Sequence, residues 1–380
     1  MDLTATLLSV WGFFTGTILP FLFVLTIIVF IHEMGHFLVA RWNKVKVDAF
    51  AIGFGPELAG FYDKRGTRWK LCAIPLGGYV KFFGDEDPTS KPDHEKLERM
   101  SADEREGAFE HKALWRRASI VAAGPAANFI LTIVIYTGLF MMNDTIRIAP
   151  VVGELVEGSA AVEAGFQPGD RVLTINGDPV VSFEDISDVT MFNSGEPIAF
   201  TVERNGETLD IVAEPRMTDL TDQFGNAYRV ARVGITSRSA PEDLSTYTLG
   251  PVDAVVKAGE RTWLVVKGTL IFIKELILGR QDAKELRGPI GIGQVTSQVA
   301  TLGIAQLLSL AAVISVSIGL LNLFPIPMLD GGHLLFYAIE AVRGRAMSPR
   351  SMDIAYKIGL ACVLGLMLFA TTNDIGRLFG

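Results

Sequence analysis

The chain has 380 residues, 49% of them hydrophobic, with a mean hydropathy of +0.35 and a net charge of −8. Such a composition speaks for lipid before any motif is read, and with no clustered basic face no nucleic-acid partner is expected. The two cysteines, Cys72 in a polar loop and Cys362 inside an apolar run, are poor candidates for a disulfide.

Uncharged stretches run from Leu3 to Ile31, Ala118 to Asn143, Gly288 to Leu329 and Ile358 to Asn373. A helix crossing the hydrocarbon needs about 20 mostly apolar residues, so four spans are predicted, near 18–40, 118–142, 303–325 and 355–373. The last is short enough to rely on Lys357 snorkelling to the interface. No basic residue precedes Arg41 and no small-residue cleavage site follows a short apolar core, so the first run is expected to stay as a span rather than leave as a signal peptide. Residues 41–117 hold 15 Lys and Arg, and Arg343, Arg345 and Arg350 lie between the third and fourth spans. By the positive-inside rule these loops face the cytoplasm, and both termini and the stretch 143–302 face outward.

The first span contains His32-Glu33-Met34-Gly35-His36. On a helix the two histidines share a face and can grip one metal, while Glu33 reaches a water beside it. On a soluble helix this would be a chance match. At membrane depth two histidines and a glutamate are costly, and the default reading is a functional site. Strand-like stretches follow at Val45–Phe54 and Trp69–Phe83. His94 and His111 lie in the polar loop and are expected to be solvated.

Beyond the second span, 143–216 reads as a small separate domain. Strands are expected at Val151–Val156, Arg171–Ile175, Pro197–Arg204 and Thr208–Ala213, a helical turn at Ser159–Ala164, and hairpin turns at Asn176-Gly177 and Asn205-Gly206. Residues 217–300 read as a linker followed, near 261–280, by an amphipathic helix that lies on the membrane or braces the domain. Lys267, Lys274 and Glu275 interrupt its apolar run, which argues against a fifth span.

Two histidines leave zinc too open, so a third ligand must come from elsewhere. Asp330 is the candidate. It ends the uncharged stretch 288–329, after Pro325 and Pro327 break the third span at the depth of the histidines, and Gly331 and Gly332 follow it. An ordinary helix-capping aspartate is the bland alternative. His333 competes for the role but reads better as a neighbour of the site.

The HExxH motif, the run Asn322-Leu323-Phe324-Pro325-Ile326-Pro327-Met328-Leu329-Asp330-Gly331 and the inserted small domain together resemble the site-2 protease family of intramembrane zinc metalloproteases, closest to its bacterial regulator-of-sigma-E branch. Pro75–Lys81 and Ala123–Asn128 share in the likeness. The insert, with Ala164-Gly165-Phe166-Gln167-Pro168-Gly169-Asp170, resembles a PDZ domain, and there is room for one where the best-known members carry two. The resemblance implies a polytopic α-helical membrane protein with four transmembrane helices, a membrane-associated β-loop and an inserted extramembrane PDZ-like α+β domain. The chain then divides into 1–142, 143–216, 217–300 and 301–380. It implies that His32, His36 and Asp330 bind Zn2+, that Glu33 is the general base, and that Asn322, Pro325 and Gly78 contact substrate. The implied setting is the bacterial inner membrane, and the implied substrates are single-span membrane proteins already trimmed by another protease, such as an anti-sigma factor. Two other classes fit less well. A metal-ion transporter has no need of a glutamate beside the first histidine, and a silent PDZ-bearing scaffold has no use for a buried base.

Overall fold

The computed structural model of the chain describes residues 14–85, 99–142, 144–221, 223–224, 227–238 and 240–379. His94 lies outside them. The chain forms two compact units, Met1–Tyr136 with Asp282–Gly380, and Thr137–Gln281.

In the first unit, helix α1 (Leu19–Trp42) follows a π-helical turn at Phe14–Ile18 and has Pro20 in its first turn, where a missing N–H leaves no bond unmade. Strands β1 (Val47–Tyr62) and β2 (Arg68–Phe82) form an antiparallel hairpin. Phe50 on β1 is fully buried against Phe30 and Phe37 of α1 and Trp69 of β2, which fixes the hairpin to the helix that carries the histidines. At the hairpin tip the Asp63 carboxylate pairs with Arg41 and accepts from the main-chain N–H groups of Arg65 (2.8 Å) and Thr67 (3.1 Å) and from the Trp69 indole (3.2 Å). Helix α2 (Ala102–Gly107) starts with a reciprocal capping box between Ser101 and Glu104. Helix α3 (Leu114–Met142) carries Pro125 in its interior.

The second unit is a β domain. Strands β3 (Thr145–Ile148) and β4 (Val152–Leu155), helix α4 (Ala160–Ala164), strands β5 (Arg171–Ile175) and β6 (Asp178–Pro179), helix α5 (Phe183–Met191), and strands β7 (Ile198–Arg204) and β8 (Glu207–Ala213) come in that order; β4, α4, β5, β7 and β8 lie where elements are expected, while β3, β6 and α5 are not predicted. Four of the strands form an antiparallel sheet, β6-β5-β7-β8. Asn205 and Gly206 have φ of 54° and 84°, the mirror-image turn that matches strand twist between β7 and β8. Val152, Val172, Ile186, Phe200 and Val202 make the core. Asp170 is fully buried, with Arg204 Nε 2.7 Å from Oδ1 and Nη2 2.7 Å from Oδ2.

The expected linker is not one. Strands β9 (Arg216–Thr221), β10 (Ala227–Arg232), β11 (Ile235–Ser237) and β12 (Leu244–Tyr247) occupy it, and β11 pairs with β4 while β12 pairs with β3. The unit therefore closes on itself well beyond residue 216. Helix α6 (Pro251–Ile277) buries Ala254, Ala258, Thr262 and Val266 at fourfold spacing and exposes Val252, Trp263 and Ile277, the amphipathic pattern expected there, begun earlier. Lys267 lies over the Phe192 ring at the end of α5, 4.9 Å from its centre.

The chain then returns to the first unit. Helix α7 (Pro289–Ala300) belongs to it, not to a linker. Helix α8 (Ile304–Asn322) presents Ala312, Ser315 and Gly319 to α3, and the small side chains let the helices approach closely enough for Ser315 Oγ to donate to the Asn128 carbonyl at 3.0 Å. Helices α9 (Asp330–Arg343) and α10 (Pro349–Phe379) complete the fold. The last runs longer than the predicted 355–373, because Asp374 is satisfied inside the protein by the N–H groups of Gly288 (3.0 Å) and Gly291 (2.9 Å) at the start of α7. Among the described residues four helices are long and apolar enough to cross a membrane: Thr15–Trp42, Leu114–Met142, Ile304–Asn322 and Pro349–Arg377. On the last, Ile358, Leu364, Leu366 and Leu368 are exposed, a continuous apolar surface suited to lipid.

Candidate metal centre

Helical spacing alone puts His32 and His36 on one face of α1, and the fold brings α3 and α9 to that face. The nitrogens His32 Nε2 and His36 Nε2 lie 3.3 Å apart. Asp330, the first residue of α9, places Oδ2 3.2 Å from His32 Nε2 and Oδ1 3.4 Å from His36 Nε2. One donor atom from each of the three falls within 4.8 Å of the others. Both histidines are buried, and Asp330 Oδ2 is a buried oxygen with no hydrogen-bond partner. Two imidazoles and a carboxylate, largely buried and converging with an unmet oxygen, are a donor set that fits a divalent metal.

Each imidazole is oriented from behind. His36 Nδ1 donates to the Ile120 carbonyl on α3 at 2.9 Å, leaving Nε2 as the lone-pair nitrogen. His32 Nδ1 lies 3.3 Å from the Asn128 carboxamide nitrogen, while Asn128 Oδ1 is buried without a partner. Exchanging the two ends of that amide gives the oxygen a donor and fixes His32 with its proton on Nδ1, so one flip satisfies both groups. Asn128 is fully buried, and its backbone carbonyl takes bonds from Thr132 and Ser315. The approach of α3 depends on Gly124, where a Cβ would stand 2.2 Å from His36 Nε2 and 2.9 Å from His32 Nε2.

Asp330 is set by the break after α8. Met328 adopts φ of 83° and Leu329 is extended, which turns the chain so that α9 starts at the aspartate. Gly331 and Gly332 are needed because the loop folds back on them: a Cβ would meet the Leu323 carbonyl at 2.2 Å and the Ile326 carbonyl at 2.4 Å. Further along α9, Glu340 pairs with the buried Arg117 of α3 at 2.6 Å, which ties the aspartate's helix to the one behind the histidines.

The three donors line a cavity of about 400 Å³, together with Glu33, Gly78, Asn322 and His333. The Glu33 carboxylate takes a bond from the main-chain N–H of Val80 on β2. Gly78 touches the same helix: a Cβ there would meet the Ala51 carbonyl at 2.8 Å and Glu33 Cγ at 3.1 Å. His333 lies at the wall, its ring 5.8 Å from that of Tyr356, and takes no part in the donor set. Pro325 is the one sequence-predicted residue that the fold leaves out; it is exposed and does not line the cavity, because the chain turns at Met328 and Leu329 after it. His111 is exposed, as expected. Asn128 is the group that sequence reasoning passed over as a role, although an amide buried in an otherwise apolar span is itself a signal.

A profile described as peptidase family M50 matches residues 20–366. A relative from Agrobacterium fabrum, with the words zinc metalloprotease in its name, is 50% identical over 99% of this chain and 100% of its own length. One from Rhizobium meliloti, similarly named, is 48% identical over 96% of this chain and 97% of its own. A Caulobacter vibrioides metalloprotease, MmpA, is 38% identical over 94% of each chain. The solved PDZ domain of an SdrC-like protein from Listeria monocytogenes is 16% identical, with a TM-score of 0.18, over 25% of this chain and 88% of its own, a likeness too slight to carry weight. With the family profile spanning most of its length, this chain belongs to peptidase family M50, the site-2 proteases, and is a multi-pass membrane metalloprotease.

Proposed function

We propose that the protein is a zinc endopeptidase that cuts single-span membrane proteins within or near their membrane segment. The observation that carries this reading is the buried His32–His36–Asp330 donor set with Glu33 in the same cavity. The three donors would hold the zinc, and Ile120 and Asn128 would keep both imidazoles in the ligating tautomer. When bound there, zinc supplies Lewis acidity to a peptide carbonyl and to a water. Glu33 accepts the proton of the attacking water and returns it to the leaving nitrogen. The Val80 N–H keeps the carboxylate pointed into the cavity.

A substrate helix hides its peptide bonds in internal hydrogen bonds and must be locally unwound. The second half of β2, residues 78–82, pairs on one side with residues 47–52 of β1, and among the described residues its other edge is paired with no strand. The main chain at Gly77 and Gly78, which carries no side chain of its own, is the place for an extended substrate to add as a strand, with Asn322 lining the same cavity. Pro325 has no part in this.

The cations of 41–117 and of Arg343, Arg345 and Arg350 support a cytoplasmic placement for those loops and an outward one for the β unit, in a bacterial inner membrane. In that setting a fitting substrate is a signalling protein of the anti-sigma type, cut first on its outer side. The β unit acts as a PDZ-like gate that excludes bulky outer domains. Purified full-length protein with trimmed and untrimmed forms of one single-span substrate tests the reading. Cleavage of the trimmed form, lost on chelation and restored by zinc, is expected; cleavage indifferent to chelation contradicts it.

A further inference from the structure

The larger cavity of the helical unit is not the one at the histidines. A cavity of about 660 Å³ opens where α1 ends and α3 begins, and its walls include Trp42, Lys44, Glu106, Lys112, Trp115 and Arg116. Trp42 is 84% exposed and Trp115 65% exposed, each at the end of a membrane-length helix, the place where indoles sit at the headgroup level. Between them stand three cations. Among the described residues neither Lys44 nor Arg116 is paired with a carboxylate; the Arg116 guanidinium lies over the Trp115 ring, 5.2 Å from its centre. Lys112 bonds the Glu106 main-chain carbonyl, and burial, with Arg116 and Lys44 nearby, pushes its ammonium below the usual lysine range, with Glu106 the opposing charge. Lys44 holds φ of 59°, a conformation that favours glycine, yet the position carries a cation. Ala113 also lines the cavity, at the positive end of the α3 dipole.

Glu106 is the one carboxylate in the lining, set against Lys44, Lys112 and Arg116, so the balance of charge in the cavity favours an anion. In a chain of net charge −8 the concentration of unpaired positive charge at one interfacial cavity is local and specific. We propose that this cavity binds the phosphate of an anionic glycerophospholipid, with Lys44 and Arg116 on the phosphate and the two indoles beside the glycerol. Leu38, exposed one turn before Trp42 on α1, offers the start of an acyl-chain track, which favours a lipid over a free phosphate ion.

Native mass spectrometry of the full-length protein in neutral detergent, titrated with phosphatidylglycerol or phosphatidylcholine, tests this. Wild type is expected to retain the anionic lipid preferentially. The double variant Lys44→Gln/Arg116→Gln is expected to lose that preference by about tenfold or more, since each juxtamembrane cation contributes separately, and Arg116→Lys is expected to keep most of it. Unchanged melting of the double variant shows that the fold is intact. Equal retention of the two lipids by wild type, or an unaffected double variant, overturns the proposal. Calorimetry with inorganic phosphate in lipid-free micelles is expected to show no binding; saturable binding there, lost in the double variant, makes the site one for a free ion and overturns the lipid assignment.

Discussion

Asp170 in the β unit and Asp330 in the helical unit are both acidic groups withdrawn from water, and their surroundings differ in kind. Both oxygens of Asp170 are held by Arg204, and one also accepts from the Gln167 N–H at 2.8 Å. Asp330 Oδ2 is buried with no hydrogen-bond partner, and the carboxylate faces the Nε2 atoms of His32 and His36. A matched buried charge holds a fold in one arrangement, whereas unmet polar atoms facing two imidazoles are the mark of a place kept for a ligand. Asp170 thus serves the stability of the β unit, whereas Asp330 stands where a metal ion would be held.

That contrast can be broken by experiment, the greatest effect coming first. Gly124→Ala pushes a methyl into the imidazoles and is expected to abolish zinc binding and cleavage while the β unit melts as before; zinc retained at full occupancy would break the contrast. Asp170→Ala is expected to cost the β unit about 1–3 kcal/mol by removing the acceptor of the two Arg204 bonds and of the Gln167 N–H, with zinc content unchanged, as hydrogen exchange over 144–281 and metal analysis would report. Asn128→Ala is expected to weaken zinc binding by about 10–100-fold with little change in melting, measured by competition with a chromogenic chelator. The smallest effect is at Asp63. Burial opposes its ionisation, but Arg41, the Trp69 indole and the N–H groups of Arg65 and Thr67 outweigh it and hold the carboxyl well below the usual range. Its folded-state pKa being lowered, its contribution is present above about pH 4 and lost as pH falls further. Exchange at the hairpin tip should therefore quicken on acidification in wild type and much less in Asp63→Asn.

Local pattern carried the four apolar helices, the hairpin turns and the pair His32 and His36, since each depends on spacing within a few residues. Asp330 was legible because a lone charge ends a long uncharged stretch. What stayed hidden depends on distant partners. Ser237 pairs with Val152 and Tyr247 with Thr145, so short strands with no pattern of their own read as a linker. The role of Asn128 needed the position of His32 on another helix. The two glycines after Asp330 suggested function, and the fold gives them a packing reason as well: two carbonyls of the preceding loop press on them. Pro325 stands near Asp330 in sequence, but a sharp turn at Met328 separates it from the cavity.

In the proposed mechanism Glu33 moves the proton while His32, His36 and Asp330 hold the metal. Zinc per chain and cleavage rate measured together on Glu33→Gln and Asp330→Ala test it most directly. Glu33→Gln is expected to keep one zinc and to lose about 10²–10⁴-fold in rate, while Asp330→Ala is expected to lose both. Near-wild-type cleavage by Glu33→Gln, or full zinc occupancy in Asp330→Ala, would contradict it.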